Sequence, residues 1–453
     1  MNRQFIYSVL ARDYGTEEAS GEFTAALDRW DEWYRGEVPD FHNICVNNGI
    51  TSVSRPLYRL NMAKKVCEEW ADLLVNEKNE VSLDDAASEK TLLAVFEKTD
   101  FYRRINVLTE KTFALGTGAV TVRLDGVKTD REGRIIPYDK TDISLNFHDA
   151  YGIFPISWRG DRITECCFAF EETDGRGKHV FLQLHLLEKG EYVIKGRYFT
   201  LIDGVWTETS LPDGYAPMIR TGSDKPLFSI FRPGTANNLF PESPCGLSVY
   251  AGATDLLKGI DLCYDSLNME FGLGRKMVFL RKDLLGKDSL GNVLPPKDIK
   301  RQLFVYVGDS AVDGDMMPKE FNPALRVNEH IEALDRQLDG LAVKCGLSAG
   351  RFSFNVKTGL PRTATEVISE NSAMFRTLKK HEKAWERGIK DVVRGILTAA
   401  KLTGKDTDPD CGIKVDFDDS VIEDRGTETD RIIALVKSGI ITSEEAREKL
   451  NCR

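Results

Sequence analysis

The chain has 453 residues, 42% hydrophobic and 29% charged, with 61 Lys and Arg against 71 Asp and Glu for a net charge of −10. This is the composition of an ordinary globular protein with room for roughly two to four structural units. The acidity argues against a protein that coats nucleic acid through a general basic surface, and no run of about 18 apolar residues is present to cross a membrane.

The opening stretch "MNRQFIYSVLARDYG" lacks the apolar core and small-residue cleavage site of a secretory signal, which predicts a protein kept in a reducing cytoplasm. The first hundred residues then read as helical. Phe23, Leu27, Trp30 and Tyr34 recur at helical spacing, as do Leu60, Ala63, Cys67, Trp70 and Leu74. The aromatic run Trp30, Trp33, Tyr34 could stack bases, but at this spacing it reads as core or subunit contact. After the polar break "VNEKNEVSLDD", the stretch "SEKTLLAVFEKTDFYRRINVLTEKTFALG" continues the helical pattern to about Gly116. "GTGAV" (116–120) lacks the Gly-Lys-Ser/Thr of a phosphate loop and is read as a helix-to-strand turn.

From Ala119 the period changes to two. "AVTVRLDG", "DISLNFHD", "ITECCFAFEE", "HVFLQLHLLEKGEYVIKGRYFTL" and "GVWTET" predict an antiparallel meander of about 100 residues. Within it Val180, Leu182, Leu184 and Leu186 share one face, and Gln183 and His185 take the other. The Pro/Gly/Asn stretch "FRPGTANNLFPESPCG" links this meander to three long helices.

The first helix is predicted over 247–272, with Leu256, Ile260, Tyr264, Leu267 and Phe271 in a stripe. The second covers 324–345, with Ile331, Leu334, Leu338 and Leu341. The third covers 363–402, with Val367, Phe375, Leu378, Trp385, Ile389, Val392 and Ile396, and with Gly388 and Gly395 as points where it can bend. Thr363 and Glu366 fit a capping box at its start, each side chain satisfying an orphan amide. Between the first two helices, "KMVFLRK" and "QLFVYVG" predict two strands around a Pro-Pro turn, too small to be stable without neighbours. Between the last two lies "LSAGRFSFNVKTGLPR", with Arg351, Lys357 and Arg362 and no acid. Such a loop, repeated around a ring, would touch phosphates without reading sequence. Residues 404–453 carry thirteen Asp or Glu against eight Lys or Arg, a net of −5.

No motif anchors catalysis. The nine cysteines include no C-x-x-C and read mostly as buried free thiols, and the six histidines form no metal-ligand spacing. "DFDDS" (416–420) and "DGD" (313–315) read as solvated acidic turns rather than metal sites.

In order along the chain, several stretches resemble the portal proteins of tailed double-stranded DNA bacteriophages, in the branch typical of phages of Gram-positive hosts. They are "WYRG", "RPLYRLNMAKKVCEEWADLLVNE", "ALGTGAV", "CGLSVYAGATDLLKGIDLCYDSLNMEF", "FNPALRVNEHIEALDRQLDGLAVKCGL", "TATEVISENSAMFRTLKKHEKAW" and "SGIITSEEAREKL". The resemblance implies an α+β portal fold: a wing (1–246, helical and then β meander), a first stem helix (247–274), a clip (275–323), a second stem helix (324–346), a tunnel loop (347–362), a long helix (363–403) and a crown-like segment (404–453). That last segment is short for a crown.

It further implies a non-enzymatic ring, usually of twelve subunits, at one capsid vertex, with no cofactor or metal and no membrane. Double-stranded DNA would pass through its channel, and its partners would be the terminase large subunit, a head-completion adaptor, and capsid and scaffold proteins. Arg351, Phe352, Phe354, Lys357 and Arg362 would face the DNA. Thr363 and Glu366 would form the hinge. Leu256, Ile260, Leu267, Ile331, Leu334, Leu338 and Leu341 would pack the stem. Arg281, Lys282, Lys287, Lys300 and Arg301 would form the clip's partner surface. Two other readings remain: a metal-dependent phosphodiester hydrolase using Asp416 and Asp418, and a monomeric nucleic-acid-binding adaptor.

Overall fold

A computed structural model describes residues 2–16, 21–47, 51–76, 79–136, 138, 141–175, 177–212, 214–280, 289–290, 304–306, 319–354 and 364–417. Helix α1 (Arg3–Tyr14) starts where Asn2 Oδ1 accepts from Phe5 N at 3.1 Å and stops at left-handed Gly15. It is followed by α2 (Gly21–Arg35) and the single turn α3 (Pro39–His42). A ribbon of β1 (Asn43–Asn47) and β2 (Ser52–Pro56) comes next, where helix was expected. The Thr, Val, Ile and Asn content of this stretch favours strand and turn over helix. Then come α4 (Met62–Leu74), β3 (Glu80–Leu83), α5 (Ala86–Thr99) and α6 (Phe101–Leu115).

The polar break thus contains a strand, and the helical stretch after it is two helices. The break falls at Asp100, whose backbone is left-handed (φ 52°) and whose N–H caps α5. Phe96 and Phe101 stack across that corner with centroids 3.9 Å apart. Trp30 and Trp33 are buried, so the aromatic run is core.

The expected single meander is divided. Strands β4 (Gly118–Asp125) and β7 (Asp142–Asp149) pair with each other, flanking the small hairpin β5 (Lys128–Thr129) and β6 (Ile135–Ile136). The meander proper is β8 (Ile153–Arg159), β9 (Arg162–Asp174), β10 (Gly177–Glu188), β11 (Glu191–Ile202) and β12 (Val205–Thr209), with β13 (Met218–Arg220) added to β11. Strand β14 (Phe228–Phe231) returns to β4, completing a separate sheet in the order β14-β4-β7.

Both faces of the meander are covered. Val180, Leu182, Leu184 and Leu186 pack on Ile6, Tyr7, Val9 and Leu10 of α1, while Cys166, Phe168 and Tyr192 pack with Phe228 on the far side. The adjacent Cys166 and Cys167 therefore enter two different cores, as alternation requires. Of the eight cysteines among the described residues six are buried, Cys263 is half-buried and Cys45 is exposed. His185 and Gln183 do lie opposite the leucines, yet both are buried too.

Helices α7 (Thr254–Leu273) and α8 (Val327–Lys344) enclose β15 (Met277–Leu280), β16 (Phe304–Tyr306) and β17 (Lys319–Phe321). Strand β15 pairs parallel with β16 and antiparallel with β17, a third strand that the polar "KEF" does not advertise. Helix α9 (Ala364–Leu402) crosses the β14-β4-β7 sheet. Gly388 and Gly395 lie inside this uninterrupted helix. A Cβ on Gly388 would stand 2.5 Å from the Phe231 ring, so the glycine permits close approach rather than marking a break. Last, β18 (Ile413–Asp416) pairs antiparallel with β3, some 330 residues earlier in the chain (Ile413 opposite Leu83).

One core ties these parts together. Trp70 of α4, Phe113 of α6 and Trp385 of α9 stack in turn, at 5.8 and 5.1 Å, and His381 meets Trp70 and Phe113 edge-on. The same cluster continues into Leu257, Ile260, Leu334, Leu338 and Leu341 of the helix pair.

Candidate functional site: the helix pair and its following loop

Helix α7 starts at Thr254, seven residues later than expected. The preceding amides are taken by turns: Val249 N donates to Phe113 O, Ala251 N to Ser248 O and Ala253 N to Tyr250 O. Its neighbours on α8 run in the opposite sense. Leu256 lies by Gly340, Gly259 by Gln337, and Glu270 bonds Arg326, so the pair is antiparallel. A Cβ on Gly259 would be 3.0 Å from Gln337 Oε1 and one on Gly340 3.3 Å from Leu256 Cδ2; these glycines let the axes close up.

Of the predicted stem residues, Ile260, Leu334, Leu338 and Leu341 are buried, while Leu256, Leu267 and Ile331 are half-buried. Leu257, which the stripe missed, is buried instead of Leu256. Apolar side chains also stay exposed on the pair: Leu262 and Leu273 on the side of α7 away from its packed stripe, Phe271 at the far end of that stripe, Leu325 before α8 and Val343 at its end. Phe271 was expected within the packed stripe and is 50% exposed.

Two carboxylates on α7, one turn apart, fasten the pair to the N-terminal region. Asp261 accepts from Leu60 N (2.9 Å) and lies 3.0 Å from His42 Nε2. His42 Nδ1 accepts from Val38 N, which leaves the proton on Nε2 to be donated to Asp261. Asp265 holds both Arg55 guanidinium nitrogens at 2.7 Å and accepts from Tyr58 N at 3.0 Å. Burial raises the Asp261 carboxyl above its ordinary value, whereas the Arg55 hydrogen bonds lower that of Asp265. At the far end, Arg326 bonds Glu270 at 2.8 and 3.1 Å and brings its carboxyl down to about 2. Sequence reading missed the contacts of all three carboxylates. The signal available was Asp at i and i+4 on a stripe otherwise apolar.

After α8 the chain turns at Gly346, left-handed with φ 85°. Leu347 N returns to Ala342 O and Gly346 N to Val343 O, a glycine-centred helix end. A Cβ here would sit 2.8 Å from Thr377. The first half of the predicted loop is folded onto α8. Asp339 accepts from Gly350 N (2.7 Å) and Ser353 Oγ (3.1 Å), and Asp335 from Phe354 N (2.9 Å). Arg351 donates to Glu69 of α4 at 2.7 Å, so a loop without acids of its own meets acids from both neighbouring helices. Phe352 packs against the core and Phe354 is 60% exposed.

Lys357, Arg362 and Thr363 lie outside the described residues, as do Arg281, Lys282, Lys287, Lys300 and Arg301. Glu366 falls in the first turns of α9, its side chain outside the description. Among the described residues there is no group of three His, Cys, Asp or Glu placed to hold a metal ion, and no helix is long and apolar enough to cross a membrane.

No curated protein matches the chain. The family model described as phage portal protein, SPP1 Gp6-like, matches residues 247–451, a little under half of the chain. The match takes in α7, α8, the folded loop and α9, and leaves the N-terminal helices and the meander outside. From α7 onward, the chain is similar to phage portal proteins.

Proposed function

We propose that this protein is a phage portal: a closed ring at a capsid vertex through which double-stranded DNA enters and leaves. The observation that carries this is the antiparallel α7–α8 pair, which lies inside the matched region. It packs Leu257, Ile260, Leu334 and Leu338 inward yet leaves Leu262, Leu273 and Val343 in water on the opposite sides. An apolar outer side on a helix pair finds its cover in a neighbouring subunit, and a heterologous contact of this kind closes into a ring.

In this reading residues 1–246 form the wing, α7 and α8 the stem, and 275–323 the clip that docks the terminase large subunit and later the head-completion adaptor. Residues 347–362 form the tunnel loop, α9 the helix behind it, and 404–453 a short crown. The Arg351 charge is matched by Glu69. The DNA-facing positive charge of the loop therefore falls to Lys357 and Arg362, which act on phosphates regardless of sequence. A channel otherwise acidic lets the duplex slide.

Light scattering with negative-stain microscopy of the purified chain tests the ring. A particle with a central hole near ~0.6 MDa, about twelve times the 50.9 kDa chain, supports it. A clean monomer at high concentration contradicts it. For the loop, Lys357→Glu leaves rings intact and lowers DNA filling of capsids; normal filling refutes the assignment.

A further inference from the structure

We propose that the β1–β2 ribbon is an arm received by a second copy of this chain, a contact that rests on the ring reading above and adds to the stem-to-stem contact. The ribbon pairs Asn43 with Pro56 through Asn47 with Ser52, and neither strand pairs with any other among the described residues. Asn43, Cys45, Asn47, Ser52, Ser54 and Pro56 are exposed, and Val53 is 55% exposed. A two-stranded ribbon with one face in water, and with Val53 of the other face exposed, is marginal alone. Free strand edges are ordinarily blunted with charge. Of the ten residues in the two strands, only Arg55 is charged, and Asp265 binds it.

The ribbon is also aimed. His42, just before β1, is held by Asp261; Arg55, near the end of β2, is held by Asp265; and both carboxylates stand on α7. Removing two carboxylates from water costs several kcal/mol before their partners repay it, which is a large outlay for a loop whose direction does not matter. The clamp fixes the ribbon to the stem helix. Leu262, the next residue after Asp261, is 48% exposed, so the neutral ribbon and the apolar outer side of α7 start from the same point. The occupant is a second copy because the ribbon continues the stem face that the ring covers, and a ring contact joins two unlike faces of one subunit.

The native thiol of Cys45 reports on the arm directly. Iodoacetamide labelling of the full-length protein, read by mass spectrometry, is expected to be at least tenfold slower at Cys45 in the ring fraction than in the monomer fraction. Val53→Lys, at an exposed position, is expected to keep the wild-type circular dichroism and melting temperature while raising at least tenfold the concentration needed for rings. Val53→Thr is expected to assemble normally. Rings in which Cys45 labels as fast as in the monomer, or Val53→Lys chains that form rings as wild type does, overturn the arm and leave the portal reading standing. A wild-type chain that never assembles overturns both.

Discussion

The meander and the α7–α8 pair solve the same burial problem to different degrees. Strands β8 to β12 are covered on one face by α1 and on the other by the Phe168–Phe228 layer, so the apolar side chains along their middles are closed off within one chain, while Trp158, Leu187, Ile202 and Val205 near the strand ends stay exposed. The helix pair buries one stripe of each helix and keeps Leu262, Leu273 and Val343 exposed on the sides turned away from it. The difference teaches where a chain ends as a structural unit. The middle of the meander is finished in the monomer, and in the ring reading proposed above the helix pair is finished by assembly.

The sharpest break of this contrast is Leu334→Asp with Leu338→Asp. Both side chains are buried in the core shared with α7, and each buried unpaired carboxylate should cost ~3 kcal/mol or more. Rings should vanish and α7–α8 packing should loosen. The meander's strand signal in circular dichroism should survive, since its two cores contain no residue of either helix.

Acid should weigh on the buried interior of the chain next. Burial lowers His148, His185 and His381 from 6.5 to about 3, so the folded chain keeps them neutral where the unfolded chain takes up protons. Stability contributed this way is present above the unfolded value and is lost as pH falls from 6.5 toward 3. Between pH 6.5 and 5 the three together should remove about 4–6 kcal/mol, read as a drop in melting temperature with proton uptake on unfolding.

Asp265→Ala should cost about 2 kcal/mol by leaving Arg55 and the Tyr58 amide without their acceptor. Chemical denaturation checks it, and a change under 0.5 kcal/mol would remove the clamp from the account. Smallest on the monomer is Leu262→Ser with Leu273→Ser, which should move monomer stability within about 0.5 kcal/mol while weakening rings at least tenfold. If rings form unchanged, the outer side of α7 is not the subunit contact.

Much of the framework was legible because it is periodic. The alternation in β10 and the stripes through α8 and α9 are written in one stretch of sequence, where burial on one side selects every second or every third and fourth residue. What stayed hidden depends on partners far away. Nothing local marks Asp100 as the left-handed break between α5 and α6, or β3 as a strand, because its pairing residues arrive at Ile413–Asp416. The division of the meander depends on β14 returning to β4 across more than a hundred residues. In the loop, sequence located the cations and aromatics. The acids that tie down Arg351 and the Phe354 amide stand on α4 and α8, and only the fold brings them there.

The pairing of β18 with β3 also sets a timetable for synthesis. With translation adding ~5–20 residues per second, β3 waits on the order of 20 to 60 seconds for its partner strand to be made. Through that interval a nascent chain carries an open strand edge beside α5, and a truncated chain carries it permanently. Strand β18 therefore works as a completeness check, since only a chain translated past Asp416 can close the sheet that opens near residue 80.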